Sequence, residues 1–235
     1  MPTAPRAART TIVLFDIDGT LVRTGRAGSR AMGRAFEDLF GIAGAFDGIQ
    51  MAGRTDKWIL EDAAARAGVS LTDSTLQAFR RRYCERLIDA LPEPGPRKGV
   101  LPGVQSLLES LAALPNVFLA LLTGNCEDGA RLKLEHFGLW RFFRCGAFGD
   151  DARERSQLFP VVMARAHTCG AAGVSPRDVI VVGDTALDVA CAVAAGARSV
   201  AVATGPSDVD TLKRSGADVV VADLTDTSAF LHLLV

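Results

Sequence analysis

Three short apolar runs, each cut off by a polar signature, constrain this chain more than any other feature. TIVLF (Thr11–Phe15) stops at Asp16-Ile17-Asp18-Gly19-Thr20, VFLALL (Val117–Leu122) at Thr123-Gly124-Asn125, and VIVVG (Val179–Gly183) at Asp184-Thr185. An unbroken apolar run of this length suits a strand covered on both faces, whereas a strand with one wet face alternates. SVAVAT (199–204) and DVVVAD (218–223) read the same way. Helix-like segments fall between these runs, at 103–114, 127–137, 157–167, 186–195 and 208–215, with Gly138 and Gly196 where helix ends are expected. The alternation predicts an α/β fold, a doubly wound parallel sheet of Rossmann-like type with helices on both faces.

Residues 23–98 break this rhythm. They carry three helical patterns (27–40, 56–67 and 72–91), no convincing buried strand, and a closing Pro/Gly-rich tract, PEPGPRKG. The first strand therefore meets its sheet partners only after a helical insert. The expected division is a core of residues 1–22 and 99–235 and a small helical cap of residues 23–98, with Gly25-Arg26-Ala27-Gly28 as the hinge into the cap. A compact chain of 235 residues buries about 70–75% of its extended surface and needs no disulfide or metal staple. Its formal net charge of -1 lacks the basic excess of a nucleic-acid protein. No apolar run has the length of a membrane span, and MPTAPRAARTT has no apolar stretch of signal-peptide type. The five cysteines (Cys84, Cys126, Cys145, Cys169 and Cys191) are scattered without CxxC spacing and read as reduced thiols of a cytoplasmic protein. No heptad or apolar patch points to an oligomer.

In open α/β sheets ligands sit beyond the carboxyl ends of the strands. With these strands as parallel neighbours, Asp16, Asp18, Asp184 and Asp188 converge there with a hydroxyl and several loop amides. Four like charges so close repel and raise one another's pKa. A hard cation relieves that, and Mg²⁺ takes one or two carboxylates plus water and phosphate oxygens. A neighbouring carboxylate is then placed to attack phosphorus and form an acyl-phosphate.

DIDGT, LLTGN and GDTALD, in this order and context, resemble the signature motifs of the haloacid dehalogenase (HAD) superfamily of phosphohydrolases. The resemblance spans almost the whole chain, including a helical cap after the first strand. FDIDGTLV, AGRTD, LPGV and TGN are most similar to its phosphoglycolate phosphatase-like members. It implies that Asp16 is the nucleophile and a Mg²⁺ ligand. Asp18 then serves as general acid and base, with its backbone carbonyl on the metal. Thr123, Gly124 and Asn125, with Thr20, hold the phosphoryl group, and Asp184 and Asp188 complete the metal shell.

One departure concerns a lysine that the family places between the second and third motifs, often as Lys-Pro. No Lys-Pro occurs here, and the lysines are Lys57, Lys98, Lys133 and Lys213. Only Lys133 falls in that interval, within a helix expected to carry it away from the strand end. Arg155 is expected in the lysine's place, with Arg153 as the alternative; arginine keeps the charge but not the geometry.

Blander readings stand beside these. Asp184 and Asp188 could cap a helix, and Thr123 could punctuate a turn. Arg54 is read either as a contact to the non-phosphoryl end of the substrate or as a solvated side chain. Arg80-Arg81-Arg82 reads as a solvated helix face, His136, His167 and His232 as surface or packing residues, and Trp58 and Trp140 as packing. No Gly-Lys-Ser/Thr occurs, so a P-loop is excluded. The expected activity is Mg²⁺-dependent hydrolysis of a small, phosphoglycolate-like phosphomonoester through an aspartyl-phosphate. The alternatives are a sugar phosphomutase-like transferase, a haloacid dehalogenase, against which Asp18 argues, and a catalytically weak phosphate-binding protein.

Overall fold

β1 (Thr11–Phe15) leads through the DIDGT turn into a two-residue strand, β2 (Val22–Arg23). Three helices follow, α1 (Ala27–Phe40), α2 (Asp56–Arg66) and α3 (Asp73–Ala90), and then β3 (Gly99–Val100), antiparallel to β2. From there the chain alternates: α4 (Val104–Ala112), β4 (Val117–Leu122), α5 (Glu127–His136), β5 (Gly146–Ala147), α6 (Leu158–Thr168), β6 (Val179–Gly183), α7 (Ala186–Ala195), β7 (Arg198–Val202), α8 (Val209–Arg214), β8 (Val219–Val221) and α9 (Thr227–His232). The computed structural model describes residues 10–234, so most of the MPTAPRAARTT segment lies outside the described residues.

The main sheet has the order β5-β4-β1-β6-β7-β8, with every pair parallel. β1 is central, with Phe15 level with Leu121 on one side and Val182 on the other. The chain builds outward from β1 through β4 to β5, then returns to β6 on the opposite side. The strand order thus reverses around β1, where an open sheet parts its loops and leaves a crevice.

Period-2 alternation sends β1 side chains to two cores. Val13 and Phe15 pack with Leu107, Leu108 and Phe230 on one face; Ile12 and Leu14 pack with Leu158, Val162 and Ala192 on the other. Helices α1–α3 make a separate cluster around Phe36, Phe46, Phe79 and Tyr83, and it takes in Cys126 from the loop after β4. Phe36 meets Phe46 edge-on at 5.6 Å, and Phe79 stacks on Tyr83 at 6.4 Å.

The two chain segments joining this helical block to the sheet touch at glycines. Gly25 has φ +62°, and a Cβ on Gly95 would stand 2.6 Å from the Gly25 carbonyl oxygen, so neither position has room for a side chain. All five cysteines are free. None of the described helices is long and apolar enough to cross a membrane.

Candidate active site

Three loops bring the signatures together at the reversal of strand order. The first follows β1. Asp16 continues the ladder, its amide donating to Val182 O at 2.9 Å, and Gly19, at φ +86°, turns the chain back. No side chain fits on Gly19, because a Cβ would run into the Asp184 carboxylate. The third loop leads into α7, whose N-cap is Thr185. Thr185 donates from its amide (3.0 Å) and hydroxyl (2.7 Å) to Asp188 Oδ2. Asp188 therefore caps the helix and also turns its other oxygen, Oδ1, toward the strand ends. Asp184 is not the cap.

Asp16, Asp184 and Asp188 are all buried, and one carboxylate oxygen from each lies within 4.8 Å of the others. Arg155 closes the group from the turn before α6. Its Nη2 lies 3.1 Å from Asp16 Oδ1 and 2.5 Å from Asp188 Oδ1, and donates to Leu122 O at 2.9 Å. The contact with Asp188 Oδ1 lacks hydrogen-bond direction, so that buried oxygen remains unsatisfied. Burial raises the Arg155 site's cost of charge, but Asp16 and Asp188 outweigh it and hold its pKa above the usual value. Asp184 is pushed well above the carboxylate range by burial first, then by Asp16 and Asp188. Asp188 is also raised by burial, against the pull of Arg155.

Three carboxylates against one guanidinium leave negative charge that burial makes costly. Glycines 183 and 205 hug Asp188 and Asp184, where any Cβ would collide with the carboxyl groups. All-oxygen donors, surplus negative charge and the unsatisfied Asp188 Oδ1 fit a hard divalent cation such as Mg²⁺. The Asp18 carboxylate is not in this group, which leaves its backbone carbonyl for the ligand role expected of it.

The Asp18 side chain points instead to a second cation, and here the expectation for Lys133 is overturned. Lys133 Nζ donates to Asp18 Oδ2 at 2.6 Å and to Asn125 Oδ1 at 2.5 Å. Lys133 is on α5, about 9 Å along the axis from Glu127. Helical side chains lean toward the N-terminus, so its long stem reaches back to the strand end rather than away from it. Gly28 on α1 leaves room for it, since a Cβ there would stand 3.1 Å from Nζ. Burial alone lowers the Lys133 pKa, but Asp18 and Asp56 outweigh it and raise it. Asn125 Nδ2 completes the triangle, donating to Asp18 Oδ2 and to Thr123 Oγ1, both at 2.9 Å.

One hydroxyl differs from expectation. Thr20 is fully buried and donates to Asp184 Oδ1 at 3.2 Å, so it steadies a carboxylate rather than facing a ligand. Thr123 is also fully buried and accepts from Asn125. Arg155 is at the site, whereas Arg153 pairs with Glu61 on α2. Arg80, read as solvated, forms an ion pair with Asp150.

A cavity of about 720 Å³ opens over these groups, walled by Asp16, Asp18, Asn125, Lys133 and Arg155 below and by residues of the helical block above. Arg54 lines it, its guanidinium stacked 3.7 Å from the Trp58 ring. The block rests directly on the loop after β4. Asp56 N donates to Gly124 O at 2.7 Å, Cys126 N donates to Asp56 Oδ2 at 2.9 Å, and Thr55 Oγ1 donates to Arg153 O at 2.6 Å. A Cβ on Gly124 would strike the Arg54 carbonyl. Sequence reasoning missed Lys133 and Asp56. Lys133 lacked a motif, and Asp56 reads as an ordinary first-turn helix residue.

A doubly wound parallel sheet with acidic strand ends beneath a helical insert defines an α/β protein of Rossmann-like type. The chain belongs to the haloacid dehalogenase-like hydrolases, whose family model matches residues 13–202. It is 31% identical over 223 residues to a phosphoglycolate phosphatase of Chromobacterium violaceum, covering 91% of this chain and 93% of that one. It is 24% identical to glycerol-1-phosphate phosphohydrolase 2 of Saccharomyces cerevisiae, covering 94% and 85%. Among solved structures, a hydrolase from Pseudomonas syringae superposes with a TM-score of 0.69 at 22% identity, over 96% of this chain and 99% of that one.

Proposed function

We propose that this enzyme is a Mg²⁺-dependent phosphatase that hydrolyses a small phosphomonoester through an aspartyl-phosphate on Asp16. The observation that carries the reading is the buried meeting of Asp16, Asp184 and Asp188 around Arg155. Asp16 attacks phosphorus, and the alkoxide leaves with a proton from Asp18. Asp18 then takes a proton from the water that attacks the acyl-phosphate, so one carboxyl serves both half-reactions. Lys133 and Asn125 fix its position. Arg155 holds Asp16 in line and neutralises phosphoryl oxygens, in the role expected of a family lysine. Thr123 and the Gly124 and Asn125 backbone take the remaining phosphoryl oxygens. Bound through Asp16, Asp184, Asp188 and the Asp18 carbonyl, Mg²⁺ supplies charge neutralisation for the phosphoryl group.

Residues 23–98 act as the cap. The docking of Asp56 on the phosphate-binding loop and of Thr55 on Arg153 before α6 supports closure over the substrate, which excludes bulk water. Phosphoglycolate is the first candidate substrate, given the relatives' names. Free cysteines support a reducing, cytoplasmic setting.

The test is phosphate release from a panel of small phosphomonoesters with and without Mg²⁺. Release should require the metal and fall by more than about 10⁴-fold in Asp16→Asn. Activity that survives that substitution would sink the mechanism.

A further inference from the structure

Most of the described arginine side chains are engaged in a hydrogen bond or an ion pair. The described ones whose side chains make neither hydrogen bond nor ion pair are Arg26, Arg54, Arg81, Arg97, Arg144 and Arg177, of which Arg54 and Arg144 lie over aromatic rings. Arg26, Arg54 and Arg97 line the active-site cavity. The carboxylates in its wall are Asp16, Asp18, Asp56 and Asp184, around the strand ends and the cap's docking loop. None is bonded to these three guanidiniums.

The backbone shows the same bias. Arg26 (φ +66°) and Arg97 (φ +49°) are the only non-glycine residues in the left-handed region among the described residues. That region is uncommon for a side chain without local hydrogen bonding, and held strain of this kind gathers at ligand sites. Both lie on the two segments joining cap to core, next to the Gly25–Gly95 contact. Two like charges are therefore brought to one side of the cavity mouth with no acid between them.

We propose that Arg26, Arg97 and Arg54 form a subsite for a second anionic group of the substrate, a carboxylate or a further phosphate, remote from the scissile phosphoryl group. This rests on the phosphatase reading for the word substrate, but the subsite itself binds anions whether or not turnover follows. A 720 Å³ cavity is in the range that holds drug-sized ligands, so a chain longer than two carbons fits between the floor and the arginines. Because Arg26 and Arg97 sit on the connecting segments, an anion held there ties cap to core. Guanidiniums suit both carboxylate and phosphate through paired N–H donors.

Non-hydrolysable phosphonates test this by calorimetry in the presence of Mg²⁺. Propylphosphonate carries one anionic end, 3-phosphonopropionate adds a carboxylate, and propane-1,3-diphosphonate adds a second phosphonate. At least one of the two doubly ended probes should bind about tenfold or more tightly than propylphosphonate, and the better of them names the anion. The advantage should fall to about one in Arg26→Gly/Arg97→Gly and shrink in Arg54→Gln. Glycine suits both backbone positions, so the double variant should keep its Tm. Arg26→Gln/Arg97→Gln repeats the loss with a side chain retained. Equal binding of the three probes, or a preference that survives these variants, overturns the proposal. Preference for the second anion without any phosphate release would instead overturn the phosphatase reading and leave the subsite standing.

Discussion

At the floor of the cavity both cations lie against carboxylates, whereas at the mouth Arg26 and Arg97 face no acid. Arg155 is almost wholly enclosed between Asp16 and Asp188, and Lys133 is enclosed against Asp18 and Asn125. Arg26 and Arg97 are exposed and unpaired. The difference follows from desolvation. A buried charge without a partner costs several kcal/mol, so the floor must be assembled in the folded protein itself. A charge facing water carries no such cost and can stay open for whatever enters.

Breaking the floor should have the largest effect. Arg155→Ala removes the only guanidinium from a cluster of buried carboxylates and is expected to destabilise the metal-free protein by about 3–5 kcal/mol in urea unfolding. Mg²⁺ should restore part of that loss by binding the folded state. Arg155→Lys should retain more activity than Arg155→Ala. Equal stability of Arg155→Ala and the parent without metal would show that the floor does not depend on pairing.

Lys133→Met tests the other half of the floor. The Asp18 side chain is 43% exposed, so the stability cost should be smaller than at Arg155, and the effect should appear in catalysis. Turnover of alkyl phosphates is expected to fall by about 10²-fold, because their alkoxide leaves only with a well-placed proton donor. Turnover of p-nitrophenyl phosphate, whose leaving group needs no proton, should fall by less than about tenfold. A uniform loss on both substrates would mean that Lys133 only packs α5.

The smallest effect is expected at Asp56, where floor and cap meet. Burial raises this carboxyl from 3.8 to about 6. The folded state then holds the proton more tightly than the unfolded one, so the stability contribution is full below about pH 3.8 and is lost as pH rises through 6. Asp56→Asn loses nothing on that rise and keeps an acceptor for Cys126 N. Its advantage in unfolding free energy should grow from near zero at about pH 4 to about 1 kcal/mol at about pH 7.5, reduced by partial exposure of the group. A pH-independent difference would place the effect in packing instead.

Much of the core was legible because its signals are local. Unbroken apolar runs at 11–15, 117–122 and 179–183 became β1, β4 and β6 at those bounds, and α1 and α7 also match. The run at 199–204 shifted to Arg198–Val202, an interior strand between β6 and β8, and the run at 218–223 shortened to Val219–Val221 at the sheet edge. β5, β2 and β3 went unread, because two-residue strands made of Gly146, Ala147 or Gly99 carry no apolar period and exist only through their partners. α9 (Thr227–His232) also went unread.

The sequence by itself determined which carboxylates sit at strand ends, because the turn chemistry of DIDGT and GDT is written in consecutive residues. It also put Arg155 forward as the cation beside Asp16. Tertiary structure alone decided where long or buried side chains finish. Lys133 reaches Asp18 across 115 positions of sequence, and Thr20 turns from the cavity to Asp184 across 164. Arg26 and Arg97 come to line one cavity because Gly25 and Gly95 let two distant segments touch. Strand and turn preferences act over a few residues, whereas the pairing of a buried charge is fixed by the low dielectric around it, which exists only after the chain has packed.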